Sequence, residues 1–243
     1  MNLIIDIGNS RTKFWLFNQN YEVESAYVGE LQLIHIDNVL AKHESLDKVI
    51  LSTVKDYPED LKIHLKKNFK KFIELDEHTP LPVKNNYLTK RTLGKDRIAA
   101  AAGAAYLYPG RNVLVIDAGT AITYDFIDER NGYMGGNISP GLEMRYKALN
   151  LFTNKLPLLE ADEFNGFLGQ STHDAIHAGI QKGLLYEVDG VINAFKENYR
   201  NLCVIITGGN ANFFDKKLKN SFFVHYNIIA IGLNSILEYN GEI

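Results

Sequence analysis

The chain has 243 residues, 46% of them hydrophobic and 23% charged, a composition typical of a globular protein with one or two packed cores and not of a disordered chain. Its formal charge of −3 gives no reason to expect a nucleic-acid partner, because surfaces that follow phosphate backbones usually carry excess Lys and Arg. The single cysteine, Cys203, excludes an intramolecular disulfide, and we interpret it as a small buried hydrophobe.

The first residues lack a basic region followed by an apolar stretch, and no later segment reaches the length of a membrane span. The sequence therefore predicts a cytoplasmic protein with no membrane partner.

The first half is predicted to alternate strands and helices. β-Branched and aromatic residues dominate three early segments joined by turns, which indicates an antiparallel meander. An alanine-rich segment later predicts a helix that begins near Lys95 and ends before Pro109-Gly110. The predicted strands are 2–6, 12–17, 22–28, 48–54 and 71–75, and the predicted helices are 31–43, 58–68 and 95–108.

The second half repeats this alternation. A long helical stretch occupies its centre, with Gly183 and Gly190 as candidate interruptions. The predicted strands are 112–117, 121–127, 133–136, 202–207 and 222–226, and the predicted helices are 142–151, 172–199, 211–218 and one that ends the chain.

One short motif follows the first strand of each half. Asp6-Ile7-Gly8-Asn9-Ser10 comes after an apolar run, and so does Asp117-Ala118-Gly119-Thr120-Ala121. Each copy places a carboxylate at a strand end and a glycine where the backbone can approach a ligand closely. A shift of 111 positions superposes the motifs and puts Thr12 on Thr123. We therefore expect an internal duplication, with domains 1–110 and 111–243 and a ligand cleft between them.

The first motif has the parts of a phosphate site. Backbone N–H groups of its loop can point at phosphate oxygens, Lys13 can reach a terminal phosphate, and Asp6 can hold a hydrated Mg²⁺. A lone motif of this kind is more often a tight hairpin with an exposed lysine, but its recurrence favours the phosphate site. The flanking residues match neither a Walker A loop nor a protein-kinase glycine loop.

Paired loops of this kind, with Gly208-Gly209 after a later apolar strand, resemble the acetate and sugar kinase, Hsp70 and actin superfamily. The resemblance implies an α/β fold of two duplicated ribonuclease H-like (actin-like ATPase) domains with a central cleft. It also implies that the twin glycines lie against adenosine, although such a pair in isolation is more often a plain strand-to-helix turn.

Gly94-Lys95-Asp96-Arg97 opens the alanine-rich helix between the halves. Helix N-termini attract anions through unsatisfied N–H groups and the macrodipole, so a substrate that bears an acid group can dock here. The alternative interpretation makes Asp96 a helix cap and Arg97 an ordinary surface charge.

Five motifs in this order resemble type III pantothenate kinases, and together they span nearly the whole chain. They are Asp6-x-Gly-Asn-Ser-x-x-Lys13, Gly94-x-Asp96-Arg97, Asp117-x-Gly-Thr120-Ala-x-Thr123, Gly135-Gly136-x-Ile138-x-Pro140-Gly141 and Gly169-x-Ser171-Thr172. The resemblance implies ATP-dependent phosphorylation of pantothenate to 4′-phosphopantothenate, the first step of coenzyme A biosynthesis. The chain is somewhat short for the family, which affects the expected surface loops and dimer contact.

The resemblance also implies roles for individual residues. Asp96 would accept the proton of the pantothenate hydroxyl, Asp117 would bind an activating monovalent cation (K⁺ or NH₄⁺), and Asp6 would bind Mg²⁺ through water. The pantothenate pocket would be completed at a homodimer interface, where Thr172 closes over the substrate. The implied ATP-binding residues are Asp6, Ile7, Gly8, Asn9, Ser10, Arg11, Thr12, Lys13 and Thr120, and the implied pantothenate-binding residues are Tyr87, Gly94, Lys95, Asp96, Arg97 and Thr172.

Three alternatives accompany this hypothesis. His173 and His177 lie four residues apart and mimic a zinc-protease motif, but Asp174 replaces the required Glu, so a surface histidine pair is predicted. A non-catalytic regulatory paralogue would be marked by loss of Asp96, Asp117 or Lys13, and all three are present. Another small-molecule kinase of the superfamily would lack the Gly94-x-Asp96-Arg97 motif.

Overall fold

The computed structural model describes residues 1–8, 12–18, 21–28, 31–43 and 45–241. Contacts divide the chain into two compact units. The first comprises Met1–Pro109, Asn131–Tyr133 and the residues from Asn227 onward, and the second comprises Gly110–Arg130 and Met134–Tyr226. The last helix of the sequence therefore belongs to the first unit.

The first unit is an α/β layer built on a five-stranded sheet. Its elements before residue 110 are β1 (Asn2–Ile7), β2 (Thr12–Asn18), β3 (Tyr21–Val28), α1 (Leu33–Lys42), β4 (Lys48–Thr53), α2 (Glu59–Asn68), β5 (Lys71–Glu74), β6 (Lys84–Asn85) and α3 (Lys95–Leu107). The strand order is β3-β2-β1-β4-β5. β1, β2 and β3 form the predicted antiparallel meander, whereas β4 runs parallel to β1 and β5 parallel to β4.

The second unit repeats that order. Its elements are β7 (Val113–Ala118), β8 (Ala121–Ile127), β9 (Gly132–Pro140), α4 (Leu142–Leu151), α5 (Thr172–His177), α6 (Gly183–Asn198), β10 (Cys203–Thr207) and β11 (Phe223–Val224), and α7 (Ile228–Tyr239) then returns to the first unit. Its strands are ordered β9-β8-β7-β10-β11. β8 is antiparallel to β7, while β10 and β11 continue in parallel. The predicted duplication is confirmed by this shared topology.

The sheet of the first unit is covered on both faces. α1 and α2 pack on the face that carries Leu3, Ile5 and Ile7, where they form one apolar core. Because side chains alternate along a strand, Asp6 faces the other way. That second face is covered by α3 and α7, which pack against each other and against β4.

The alanine-rich sequence of α3 is explained by its contact with α7. A Cβ atom at Gly232 would overlap the Ala99 carbonyl, and one at Gly103 would overlap the Ile228 carbonyl. The two helices therefore approach each other at backbone distance, which only small residues permit. The residues from Ala99 to Ala105 are all buried.

Some predicted elements differ in the structure. Residues 211–218 form only a 3₁₀ turn at Ala211–Phe214, and the chain reverses at Lys216, which has a φ of 57°. β9 extends to Pro140, beyond the predicted end at residue 136. The long helical stretch is continuous through Gly183 and Gly190, but a π-helical turn at Ala178–Lys182 separates α5 from α6.

None of the helices in the described ranges combines the length and the apolar character needed to cross a bilayer.

Candidate active site

A charged row crosses three strands of the first unit. Asp6 lies opposite Lys13 on β2 and opposite Ser52 on β4. The Ser52 hydroxyl donates a hydrogen bond of 3.0 Å to Asp6 Oδ1. The row therefore places a cation, a carboxylate and a hydroxyl side by side on the face covered by α3. The sequence motif predicts Asp6 and Lys13, whereas Ser52 was missed because its position depends on strand register.

Asp6 is an unusual carboxylate. Its pKa is raised to about 6, mainly by burial; the nearby Asp96 carboxylate adds to the rise, whereas the Ser52 hydrogen bond and the Lys13 charge partly oppose it. A cation beside Asp6 would favour the ionised form of its carboxylate. The site offers carboxylate and hydroxyl oxygens, and this donor set fits a hard metal such as Mg²⁺.

The other residues of the first motif divide by position. Ile7 and Thr12 are buried and lie opposite each other on β1 and β2. Gly8 directly follows β1. Asn9, Ser10 and Arg11 lie outside the described residues.

Asp96 lies in the first turn of α3, in the same unit as Asp6. Its Oδ1 accepts a hydrogen bond of 2.8 Å from the Arg97 backbone N–H. Its Oδ2 accepts no hydrogen bond from the part of the chain that the structure describes. A Cβ atom at Gly94 would overlap Oδ1, so glycine is required for this carboxylate position. Asp96 therefore caps α3 with Oδ1 and leaves Oδ2 available to a ligand. The neighbouring Lys95 is half-buried.

Arg97 is buried, with 5% of its surface exposed, so its interpretation as an ordinary surface charge is wrong. Its guanidinium carbon lies 5.6 Å from the centre of the Tyr87 ring, a cation–π geometry. Tyr87 in turn stacks on the fully buried Tyr133 at 6.0 Å between ring centres. The structure thus brings the predicted Tyr87 and Arg97 together.

Tyr133 was missed by sequence analysis. It lies at the start of β9, which runs parallel to β6 and holds Tyr87 nearby. The Asn86 N–H donates to the Tyr133 carbonyl at 3.0 Å. No local signal identifies this contact, because Tyr133 lies 46 positions after Tyr87.

The second motif forms an equivalent row in the second unit. Asp117 lies opposite Thr123 on β8 and opposite Thr207 on β10. Thr123 thus occupies the place of Lys13, so the predicted superposition of Thr12 on Thr123 is wrong by one residue. The reason is that the β7–β8 hairpin is one residue shorter than the β1–β2 hairpin.

Gly208 closes over Asp117. It has a φ of +90°, and a Cβ atom there would overlap Asp117 Oδ1 and the Ala118 carbonyl. Carboxylate and carbonyl oxygens therefore gather at this point, a donor set that fits a hard cation such as K⁺. Gly208 belongs to the predicted twin glycines.

Thr120 is exposed at the tip of the β7–β8 hairpin. Its carbonyl accepts a hydrogen bond of 3.1 Å from the Gly141 N–H. A Cβ atom at Gly141 would overlap both the Thr120 and Gly119 carbonyls. The glycine of the Pro140-Gly141 motif is therefore needed for a direct backbone contact with this loop.

Thr172 is the exposed first residue of α5 in the second unit. Ser171 caps this helix by accepting a hydrogen bond of 3.1 Å from the Asp174 N–H. His177 at the other end contacts the Tyr146 hydroxyl at 2.7 Å through Nδ1, which gives it a hydrogen-bonding role inside the unit.

Comparisons of the sequence with known proteins agree on one family. A family model described as type III pantothenate kinase matches residues 2–194. A relative from Bacteroides fragilis with the name type III pantothenate kinase is 47% identical over 240 residues, 99% of this chain and 98% of that protein. One from Phocaeicola vulgatus with the same name is 44% identical over 243 residues, which is 100% of both chains.

Solved structures show the same fold. A Campylobacter jejuni structure, named as a conserved candidate Baf family transcriptional activator, has a TM-score of 0.59 and 27% identity and covers 99% of this chain and 100% of that one. A glucokinase from an Antarctic psychrotroph has a TM-score of 0.57 at 12% identity and covers 98% of each chain. The predicted fold class is confirmed.

Proposed function

This chain belongs to the type III pantothenate kinase family, and from that premise we propose which of its residues bind the substrates and which act in phosphoryl transfer. The enzyme phosphorylates pantothenate, with ATP as the donor and a divalent metal, in the biosynthesis of coenzyme A. A cytoplasmic location is part of the proposal, because the reaction consumes ATP.

Asp96 is the proposed base. The observation that carries this role is the second carboxylate oxygen of Asp96, which no described donor occupies, in the unit that also holds the Lys13–Asp6–Ser52 row. The transition state of phosphoryl transfer is loose, so catalysis depends mainly on alignment and on stabilisation of charge. Asp96 has only to orient the hydroxyl of pantothenate and accept its proton.

Arg97 and Tyr87 are proposed to bind the carboxylate end of pantothenate, together with the start of α3. This proposal is supported by the burial of Arg97 and by the position of its guanidinium over the Tyr87 ring. A planar guanidinium matches a carboxylate with two parallel hydrogen bonds. Gly94 and Lys95 would contribute backbone N–H groups at the helix N-terminus.

The nucleotide is proposed to contact both motifs. Lys13 would neutralise phosphate charge next to Asp6, and the β1–β2 hairpin from Asp6 to Lys13 would supply backbone N–H groups. Thr120 would contact the phosphates from the second hairpin. The central cleft between domains 1–110 and 111–243 stays a prediction.

Two cation sites complete the proposal. Asp6 and Ser52 would hold Mg²⁺, and Asp117 would hold a monovalent cation, K⁺ or NH₄⁺, near the Ala118 carbonyl. Bound there, these ions offset the negative charge of the phosphates.

A homodimer is also proposed, in which Thr172 closes the pantothenate pocket. Large apolar side chains of the segment before Thr172 support it, because Phe152, Phe167 and Leu168 expose 82%, 80% and 75% of their surface. A second subunit that covers these side chains would remove their apolar surface from water.

The test is a direct assay of product formation. Purified protein with ATP, Mg²⁺ and K⁺ is offered pantothenate and, in parallel, a panel of other hydroxylated acids and sugars. We expect 4′-phosphopantothenate as the product. A folded protein that leaves pantothenate unchanged but phosphorylates another acceptor would reject the proposed acceptor, and one that phosphorylates none would favour the regulatory paralogue.

A further inference from the structure

We propose that Arg145 and Glu187 are positioning residues that hold the Thr120 loop in place for the phosphates. The proposal rests on the proposed function in one respect, the contact between Thr120 and the nucleotide. Neither residue belongs to a motif recognised in the sequence, and both lie in the second unit.

The guanidinium group of Arg145 on α4 donates hydrogen bonds to the end of β9. Its Nε donates 2.9 Å to the Pro140 carbonyl, and its Nη2 donates 2.9 Å to the Ser139 hydroxyl. The same Nη2 donates 2.5 Å to Glu187 Oε2 on α6. One side chain thus ties the last two residues of β9 to a neighbouring helix.

Glu187 completes the network from the other side. Its Oε1 accepts a hydrogen bond of 2.9 Å from the hydroxyl of Tyr124 on β8. Burial raises the pKa of Glu187, but hydrogen bonds from Ser139, Arg145 and Tyr124 outweigh it and hold the pKa below its ordinary value. The carboxylate is therefore ionised at neutral pH, and the Arg145 pair keeps its full charge.

This network connects to the Thr120 loop through one residue. Gly141 follows Pro140 directly, and its N–H donates 3.1 Å to the Thr120 carbonyl. The Gly141 carbonyl in turn accepts the backbone N–H of Arg145 at 3.1 Å. A shift of Pro140 would therefore move Gly141 and the exposed hairpin that it supports. Misplacement by about 1 Å can lower a rate by about 100-fold when catalysis depends on alignment.

The geometry of Arg145 matters more than its charge. A lysine can keep the ion pair with Glu187, but it has a single nitrogen and cannot reach Pro140, Ser139 and Glu187 together. Arg145→Lys therefore separates the positioning role from charge pairing. Arg145→Met removes both the hydrogen bonds to β9 and the ion pair. Glu187→Gln removes the negative charge of the ion pair and leaves Arg145 in place.

A matched control lies in the first unit. Lys48 pairs with Glu238 at 2.7 Å, and their side chains are 29% and 33% exposed, against 20% and 29% for Arg145 and Glu187. Lys48→Met therefore removes the cation of a similarly buried ion pair that belongs to the other unit.

The experiment measures KM for ATP, KM for pantothenate and, by calorimetry, Kd for a non-hydrolysable ATP analogue. We expect Arg145→Lys and Arg145→Met to raise KM for ATP and Kd for the analogue about tenfold, with KM for pantothenate and the values of Lys48→Met unchanged. Normal analogue binding by Arg145→Lys, or an equal loss in Lys48→Met, would overturn the proposal. Since analogue binding needs no turnover, a wild-type protein that fails to phosphorylate pantothenate would reject the proposed function separately.

Discussion

The carboxylate of Asp96 lies close enough to Asp6 to raise its pKa, on the face of the first sheet that α3 covers. Burial is the main reason why the pKa of Asp6 rises to about 6, and the charge of Asp96 adds to it. A buried carboxylate whose ionised form is disfavoured is poised to bind a cation, which would restore that form. This relationship links the proposed base to the proposed phosphate motif.

Asp6→Asn should change how stability depends on pH. In the folded protein Asp6 ionises near pH 6, against 3.8 for the ordinary group. Between these values the folded state binds more protons than the unfolded state, so this residue costs stability as pH rises. We expect the melting temperature of Asp6→Asn, relative to wild type and without metal, to increase from about pH 4 to about pH 7.

Glu238→Gln is the control of opposite sign. Burial raises the pKa of Glu238, but Asn2 and Lys48 hold it below its ordinary value, so this carboxylate stabilises the fold once ionised. Its variant should lose stability relative to wild type over the same pH range. Parallel curves for Asp6→Asn and wild type would show that Asp6 titrates normally.

Asp96→Asn should abolish most of the activity without unfolding the protein. It keeps the hydrogen-bond acceptor for Arg97 N–H but removes the base, and such proton transfer contributes about 100- to 10,000-fold to rates. Asp60→Asn is the matched control, because Asp60 Oδ1 accepts the Leu61 N–H at 2.8 Å, the same distance as in Asp96.

The measurement is kcat for both variants beside their melting temperatures. Asp60→Asn should keep its kcat and lose a similar small amount of stability. If Asp96→Asn also kept a near-normal kcat, Asp96 would be only a helix cap and the proposed mechanism would be wrong.

Local patterns predicted much of this fold because strands and helices are set by nearby residues. The meander of the first unit, the helix that starts near Lys95 and the internal duplication all follow from periodicity and motifs. The return of α7 to the first unit was missed, since its contact with α3 joins residues more than a hundred positions apart.

The site was predicted to a similar extent. Sequence motifs identified Asp6, Asp96 and Asp117, because the residues that define each motif lie within a few positions of one another. Ser52 and Tyr133 do not, because strand register and the pairing of β6 with β9 bring them to the site. The one-residue difference between the two hairpins was missed for the same reason.

Arg97→Lys should weaken the binding of pantothenate and leave ATP unaffected. Lysine keeps the charge, but it loses the planar guanidinium fork that lies over the Tyr87 ring. We expect KM for pantothenate to rise about tenfold, and discrimination against an analogue whose carboxylate is replaced by an alcohol to fall. Arg91→Lys, at an exposed arginine nearby, is the control. Unchanged discrimination would place the carboxylate elsewhere.

Asp117→Asn should reduce the response to K⁺. The carboxylate lies under Gly208 beside the Ala118 carbonyl, and loss of its charge weakens a site made of oxygen donors. We expect the K⁺ concentration for half-maximal activity to rise about tenfold, measured at constant ionic strength. Asp215→Asn, an exposed acid of the same unit, should respond as wild type does. An identical K⁺ curve for Asp117→Asn would exclude this residue as a ligand.

Gly232→Ala should destabilise the first unit and disturb the site together. The added methyl group would overlap the Ala99 carbonyl and the Gly103 N–H, so α7 must move away from α3, at a cost of about 1–3 kcal/mol. Because α3 carries Asp96 and Arg97, kcat should fall even well below the melting temperature.

Gly190→Ala is the control, since its methyl group meets no atom within 4 Å and should stabilise α6 by about 0.5–1 kcal/mol. Urea unfolding and kcat at one temperature measure both effects. Equal stability of the two variants would mean that α3 and α7 do not pack at backbone distance.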